Sequence, residues 1–269
     1  YGCGIAYLLN PIVRTVDAYL VPVLEKQALA KNIYRMVLQC RSIAQQAACG
    51  QFVHLLPVGC TLRRPISICE INKAAGTLTI VFEVKGTGTD ALANVRVGEN
   101  VDILGPLGHG FTILPEAKHV VVVGGGIGNP PMLSLAQVYG ERATAICGFR
   151  SANIVTLQDE FHASGAETIL CTDDGTAGRQ DLVTEPLKEQ LAKGDVDMVY
   201  ACGPRPMLKF VAAAAKEYGV RCEVSMEERM GCGIGACLVC ACQLKREGKS
   251  VMGHVCKDGP VFPAEEVVW

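Results

Sequence analysis

The chain has 269 residues, of which 49% are hydrophobic and 19% charged, with a formal net charge of -2. That balance excludes a disordered chain and a nucleic-acid binder working through a strongly basic surface, and it allows one large domain or two to three small ones. The 14 cysteines occur in a chain too long to need disulfide staples, which points to a reducing, cytoplasmic compartment.

At the N-terminus the apolar stretch 1–13 has no basic residue before it and no clear small-residue cleavage site, so it reads as a poor signal peptide. Residues 1–16 carry no assignment. The two longest stretches without Asp, Glu, Lys or Arg, 42–62 and 119–140, are interrupted by Gln, His, Pro and Gly, and no transmembrane span is expected.

From 17 to about 111 the sequence runs in short, β-branched, alternating segments separated by Gly and Pro: AYLVPVLEKQ, NIYRMVLQC, GQFVHLL, RPISICEIN, GTLTIVFEV and ENVDILGPLG. This rhythm predicts an antiparallel barrel or sandwich. One short helix is expected over 89–95, where Thr89 or Asp90 can cap the first turn.

After Pro115 strands alternate with helices: HVVVV then PMLSLAQVYG, TAICGF then LQDEFHA, TILCTD then QDLVTEPLKEQLA, DMVYACG then RPMLKFVAAAAKEYG, and finally RCEVSM. Near-continuous apolar strands followed by amphipathic helices predict a parallel α/β sheet covered on both faces. The last forty or so residues crowd Gly and Cys together, with too little apolar sequence for a conventional core of their own. Something other than apolar burial is expected to order them. The expected boundaries are 17–114, 115–225 and 226–269.

The sharpest motif lies in that last segment. Cys232, Cys237 and Cys240 have the C-x4-C-x2-C spacing of plant-type [2Fe-2S] sites, and Cys256 follows after a further gap. The interleaved Gly231, Gly233 and Gly235 allow a loop to curl so that backbone N–H groups point at sulfur. Buried structural cysteines and a four-cysteine zinc site are the competing readings, and the latter usually pairs two C-x2-C hooks. Cys242 would point the same way as Cys240 in an extended segment, but the spacing selects Cys240.

A second motif, Gly124, Gly125, Gly126, Ile127 and Gly128, follows a buried strand and precedes a helix, a context in which backbone N–H groups can hold a pyrophosphate. Asn129 stands where a strict dinucleotide fingerprint has its third Gly, and a ligand-free turn is the alternative. The third is a pair: Arg63-Arg64-Pro65-Ile66-Ser67 opening a strand, and Lys85-Gly86-Thr87-Gly88-Thr89 before the short helix. Together they suit a second phosphate cradle; separately they are a basic strand edge and a common turn. Cys202 before Gly203-Pro204 ends the fourth α/β strand, the edge at which open sheets bind ligands, and is equally readable as a buried thiol. Cys3, Cys40, Cys49, Cys60, Cys69, Cys147, Cys171 and Cys222 are expected to be small core side chains. No His falls into a metal-ligand or triad arrangement.

The order barrel, RPIS, GTGT, GGGIG, CGP and C-x4-C-x2-C…C resembles the ferredoxin–NADP reductase superfamily with a cluster module at its C-terminus. More narrowly, RRPISI, EERMGCGIGAC and CKDGPVF are similar to the iron–sulfur electron-transfer subunits of type B dihydroorotate dehydrogenases. The resemblance covers about 17–269 and implies a multidomain α/β plus all-β fold: an FAD-binding antiparallel barrel, a parallel nucleotide-binding domain and a small [2Fe-2S] module. It implies FAD along Arg64, Pro65, Ile66 and Ser67, with Val81, Phe82 and Glu83 on the adjacent strand and Gly88 and Thr89 at the pyrophosphate. It further implies NAD(H) on Gly124–Gly128 with Cys202 near the nicotinamide, and the cluster on Cys232, Cys237, Cys240 and Cys256. The implied partner is an FMN-containing catalytic subunit, in a heterotetramer serving pyrimidine synthesis. Arg150, at the end of the second α/β strand, suits a 2′-phosphate, so NADH over NADPH follows from the resemblance alone. The small subunit of an NADPH:ferredoxin or sulfide-type oxidoreductase is the alternative, and a redox sensor is the reading from a different class.

Overall fold

The computed structural model describes residues 17–269. The signal-peptide reading of 1–13 and Cys3 lie outside the described residues.

The first part comprises β1 (Asp17–Ala30), β2 (Ile33–Gln39), α1 (Arg41–Gln46), β3 (Phe52–Leu56), β4 (Arg64–Asn72), β5 (Thr77–Glu83), α2 (Thr87–Asn94) and β6 (Asn100–Leu107). Its strands close into an antiparallel barrel in the order β1-β2-β5-β4-β3-β6. Alternation sorts the side chains: Val53, Leu55, Leu78, Ile80 and Phe82 turn into the barrel core, while Phe52 and Val81 face outward into other cores. Helix α1 has no counterpart among the predicted elements; Ile43 and Ala44 sink into the barrel core from a polar segment too short to show helical periodicity.

Helix α2 starts two residues before its predicted position. Gly86, extended at φ -177°, is its N-cap, and Thr89 sits in the first turn instead of capping it. From there the Thr89 hydroxyl oxygen accepts hydrogen bonds from the N–H groups of Lys85 (2.9 Å) and Gly86 (3.2 Å).

The second part comprises β7 (Val120–Gly125), α3 (Asn129–Tyr139), β8 (Ala143–Phe149), α4 (Gln158–Ala163), β9 (Glu167–Thr172), α5 (Thr184–Leu191), β10 (Met198–Cys202), α6 (Arg205–Glu217) and β11 (Cys222–Ser225). A 3-10 turn, Gly126–Gly128, joins β7 to α3. Pro130 and Pro131 fall in the first helical turn, where a missing N–H costs nothing. Helix α5 is shorter than its predicted 180–192. The residues just before it run beside β9, with Arg179 donating its N–H to Leu170 O (2.8 Å) and accepting from Thr172 N (2.9 Å).

The last part is the hairpin β12 (Ala241–Arg246) and β13 (Lys249–His254), followed by β14 (Val261–Pro263). Strand β14 pairs antiparallel with β11 and extends the sheet to β14-β11-β10-β7-β8-β9. The expectation that this segment lacks apolar packing is therefore corrected. Leu244, Val255, Phe262 and Val267 share one core with Val199 and Val224 of the α/β sheet, Val211 of α6, and Phe52 and Leu107 of the barrel. A short, Gly-rich segment needs no independent core when it can lend side chains to a neighbour's. No helix among the described residues is long and apolar enough to cross a membrane.

Candidate functional site

The four spacing-selected cysteines are gathered at one loop as two pairs. In the first, the N–H of Cys232 donates to Cys237 Sγ (3.4 Å) and that of Cys237 to Cys232 Sγ (3.3 Å). In the second, the N–H of Cys256 donates to Cys240 Sγ (3.4 Å). Cys232 Sγ also accepts from Ile234 N (3.4 Å) and Ala236 N (3.2 Å), and Cys256 Sγ accepts from Gly235 N (3.1 Å). Burial pushes the Cys232 thiol up, but the N–H groups of Ile234, Cys237 and Ala236 outweigh it and bring the group down to about 6. Burial pushes Cys256 up to about 12, reinforced by the adjacent Cys240 thiol.

No three His, Cys, Asp or Glu side chains among the described residues converge on one metal-sized point. Two pairs lined by inward N–H donors suit a two-iron cluster, each iron taking one pair, better than a tetrahedral zinc ion. Cys242 is buried on β12 in the shared core and takes no part in this N–H network. Cys240 and Cys256 are buried as well, whereas Cys237 is exposed.

The RPIS strand and the GTGT turn, distant in sequence, meet in space. A Cβ built on Gly88 would lie 2.6 Å from Arg64 Nη2, so the guanidinium rests on the space that Gly88 leaves free. Arg64 is held there by backbone carbonyls, Nη1 donating to Leu62 O (2.7 Å) and Arg63 O (3.2 Å). A cation beside the N-terminus of α2 sets two positive potentials on one spot, an arrangement that an anionic phosphate relieves. Arg64, Pro65, Ile66 and Ser67 are all half-buried, against the alternation of an ordinary barrel strand. On β5, Glu83 is half-buried at the strand end and Val81 faces the α/β domain. Phe82 stacks on Tyr34 inside the barrel, ring centroids 6.0 Å apart, and has only its backbone to offer a ligand outside it.

The turn Gly126–Gly128 lies against β5, with Ile127 packed in the same core as Val81. Gly124 pairs with Cys202 across β7 and β10. Cys202 is half-buried, and desolvation pushes its thiol up to about 12 against the lowering effect of the Ser225 hydroxyl. Gly128 is forced: a Cβ there would fall 2.7 Å from Gly203 Cα and closer still to the Cys202 carbonyl. Asn129, the departure from a glycine fingerprint, is a brace. Fully buried, it donates from Nδ2 to Gly126 O (2.9 Å) and Gly148 O (3.2 Å), and its side chain fills the space above Gly124.

The remaining cysteines divide. Cys40, Cys69, Cys147 and Cys171 are buried, and Cys49 and Cys222 pack at core margins. Cys60 is half-buried in the loop between β3 and β4, its N–H bonded to Pro57 O (3.1 Å), because the turn holds it out of the barrel. Sequence reasoning missed His54. It sits on β3 opposite Pro65, fully buried, and nothing in an alternating strand marks a single His as unusual.

Residues 227–268 match the family described as the iron–sulfur cluster binding domain of dihydroorotate dehydrogenase B. The chain is 41% identical over 258 residues to the dihydroorotate dehydrogenase B (NAD(+)) electron transfer subunits of Bacillus cereus (strain AH187) and Bacillus anthracis (strain A0248), covering 91% of this chain and 96% of theirs. Among solved structures, it is similar to a chain of the NADH-dependent reduced ferredoxin-NADP oxidoreductase, with a TM-score of 0.83 and 28% identity over 93% of this chain and 90% of that one. A ferredoxin NADP+ reductase from Neisseria gonorrhoeae with bound FAD and NADP shares the fold, with a TM-score of 0.62 and 16% identity over 75% and 92%.

Proposed function

Because the chain belongs to the family of dihydroorotate dehydrogenase B (NAD(+)) electron transfer subunits, we propose that it carries electrons between NAD(H) and an FMN-bearing catalytic subunit, by way of FAD and a [2Fe-2S] cluster. The pathway served is pyrimidine synthesis, the assembly a heterotetramer and the compartment the cytoplasm, a reading supported by described cysteines that are all free. The single observation that carries the proposal is convergence. The nucleotide turn lies against β5, the Arg64 cradle opens on β4, and the cluster loop lies over β3, so three candidate sites occupy neighbouring barrel strands.

Bound FAD would supply the exchange between hydride and one-electron chemistry that a nicotinamide donor and an iron–sulfur acceptor require. The chain's own residues bind and orient. Gly124–Gly128 would hold the dinucleotide phosphates at the α3 N-terminus, and Cys202, a neutral thiol, would border the nicotinamide. Arg64 with Gly88 and Thr89 would hold the flavin pyrophosphate, and Pro65 to Ser67 would support the flavin ring. Cys232 and Cys237 would ligate one iron, Cys240 and Cys256 the other. No side chain is required as a general acid or base. On the cluster loop Ile234, Leu238 and Val239 are each more than half exposed. That apolar rim is the surface we assign to the catalytic partner.

Low-temperature EPR on anaerobically purified chain after addition of NADH, with flavin and iron quantified on the same sample, tests the whole path. The expected result is a reduced [2Fe-2S] signal at stoichiometric flavin. Flavin and cluster both present, with neither reduced by NADH, would overturn the donor assignment.

Arg64→Ala is expected to weaken flavin retention while leaving iron content unchanged. Loss of a charge-assisted phosphate contact costs about 1.5–3 kcal/mol, or roughly ten- to hundredfold in affinity. Flavin-to-protein ratios after gel filtration report it, and an unchanged ratio removes Arg64 from the site.

A further inference from the structure

His54 lies where the barrel meets the cluster loop. Its neighbours on β3, Val53 and Leu55, point into the barrel, so its ring projects outward, on the side of Phe52 and beside Pro65 of the flavin strand. Above it the loop comes down at Gly233, between Cys232 and Cys237. A Cβ on Gly233 would sit 2.6 Å from His54 Nδ1 and 3.2 Å from Leu107 Cδ1, and the backbone there holds φ +76°. Only Gly lets the loop descend this far. The ring is fully buried, yet neither Nδ1 nor Nε2 has a hydrogen-bond partner in the chain. A buried imidazole with two orphaned nitrogens is costly, and a well-packed site retains one where something else uses it. Burial, followed by the Arg63 guanidinium, brings the group down to about 4, while the backbone of Cys232 and Arg63 works the other way. In either protonation state an imidazole has an N–H to give.

We propose that His54 is a positioning residue of the electron path, donating its Nδ1–H to the Cys232 carbonyl when the cluster is in place and so pinning the loop on the outer face of the flavin strand. The inference rests on the ligand reading above. Pinning the Cys232 peptide keeps the N–H groups of Ile234, Ala236 and Cys237 directed at Cys232 Sγ, where they lie at 3.2–3.4 Å. Such N–H···S bonds favour the more negative, reduced cluster and raise its potential. Loss of the pin lengthens them and lowers it.

The test is an EPR-monitored redox titration of the full chain with its flavin, comparing the unaltered protein with His54→Leu and His54→Asn. His54→Leu is expected to retain iron and flavin, with the oxidised-to-reduced ratio at the native midpoint shifted about tenfold toward oxidised, equivalent to ~59 mV for one electron. His54→Asn, whose amide N–H replaces that of Nδ1, is expected to recover most of the shift. A native midpoint in His54→Leu overturns the proposal, as does an Asn variant as low as the Leu variant. If His54→Leu cannot hold iron, His54→Asn alone decides: a near-native midpoint supports the role, and a tenfold shift overturns it. Failure of the underlying ligand reading is visible separately, as a Cys232→Ser protein that keeps its iron.

Discussion

Replacing Cys256 by Ser is expected to remove the cluster while leaving the flavin bound. Cys256 is 3% exposed, its N–H donates to Cys240 Sγ (3.4 Å), and its own sulfur accepts from Gly235 N (3.1 Å). A hydroxyl at that position is shorter than a thiol and does not ionise to the soft anion that iron–sulfur clusters require. Iron content, visible absorbance and the EPR signal should all fall together. Electron delivery to the partner should drop by more than about 100-fold, because even outer-shell partners of a metal centre are worth 10–100-fold. NADH should still reduce the flavin, since Arg64, Gly88 and the nucleotide turn lie on β4, α2 and the turn after β7, away from Cys256 in sequence and element. The C-terminal segment should not come apart, because Leu244, Val255, Phe262 and Val267 remain packed against the α/β sheet. Cluster binding adds to that order but is not its only source. Iron analysis settles the matter, and a Cys256→Ser protein with a full complement of iron would remove this residue from the ligand set.

That expectation differs from one drawn from sequence alone, and the difference shows what sequence can carry. Spacing such as C-x4-C-x2-C is a local property, legible because the loop must curl within a few residues; the structure gathers those thiols with N–H donors as the interleaved glycines require. The barrel strands and the β-α alternation were legible for a similar reason, since period-2 and period-3.6 patterns are written into each segment. Strand β14 was not. Three residues, Val261–Pro263, are too few for a period, and their pairing partner, β11, lies far back in the chain. The dependence of the cluster segment on a shared core was hidden with it. His54 and Asn129 were illegible in the same way. Asn129 looks like a flaw in a glycine fingerprint until its amide is seen tying the Gly126 and Gly148 carbonyls together. His54 gains meaning only when Gly233, far along the chain, is folded onto it.

Gly128→Ala should separate nucleotide binding from everything downstream of it. The residue has φ -81°, which any amino acid can adopt, so backbone strain is not the issue; space is. The added methyl would meet Gly203 Cα at 2.7 Å and the Cys202 carbonyl more closely, and both are backbone atoms in and just after β10 that cannot rotate away. The 3-10 turn and the start of α3 must therefore shift relative to β10, opening the place we assign to the dinucleotide phosphates and the nicotinamide. A misplacement of about 1 Å at such a site can cost roughly 100-fold in rate. The expected result is about that loss in flavin reduction by NADH, with flavin and iron contents unchanged. Dithionite, which needs no nucleotide site, should reduce flavin and cluster as in the unaltered protein, and that contrast excludes a damaged barrel or cluster loop as the cause. Anaerobic stopped-flow at the flavin absorbance reads both arms. If Gly128→Ala protein is reduced by NADH at the native rate, the glycine turn is a structural corner and the nicotinamide must enter by another edge of the sheet.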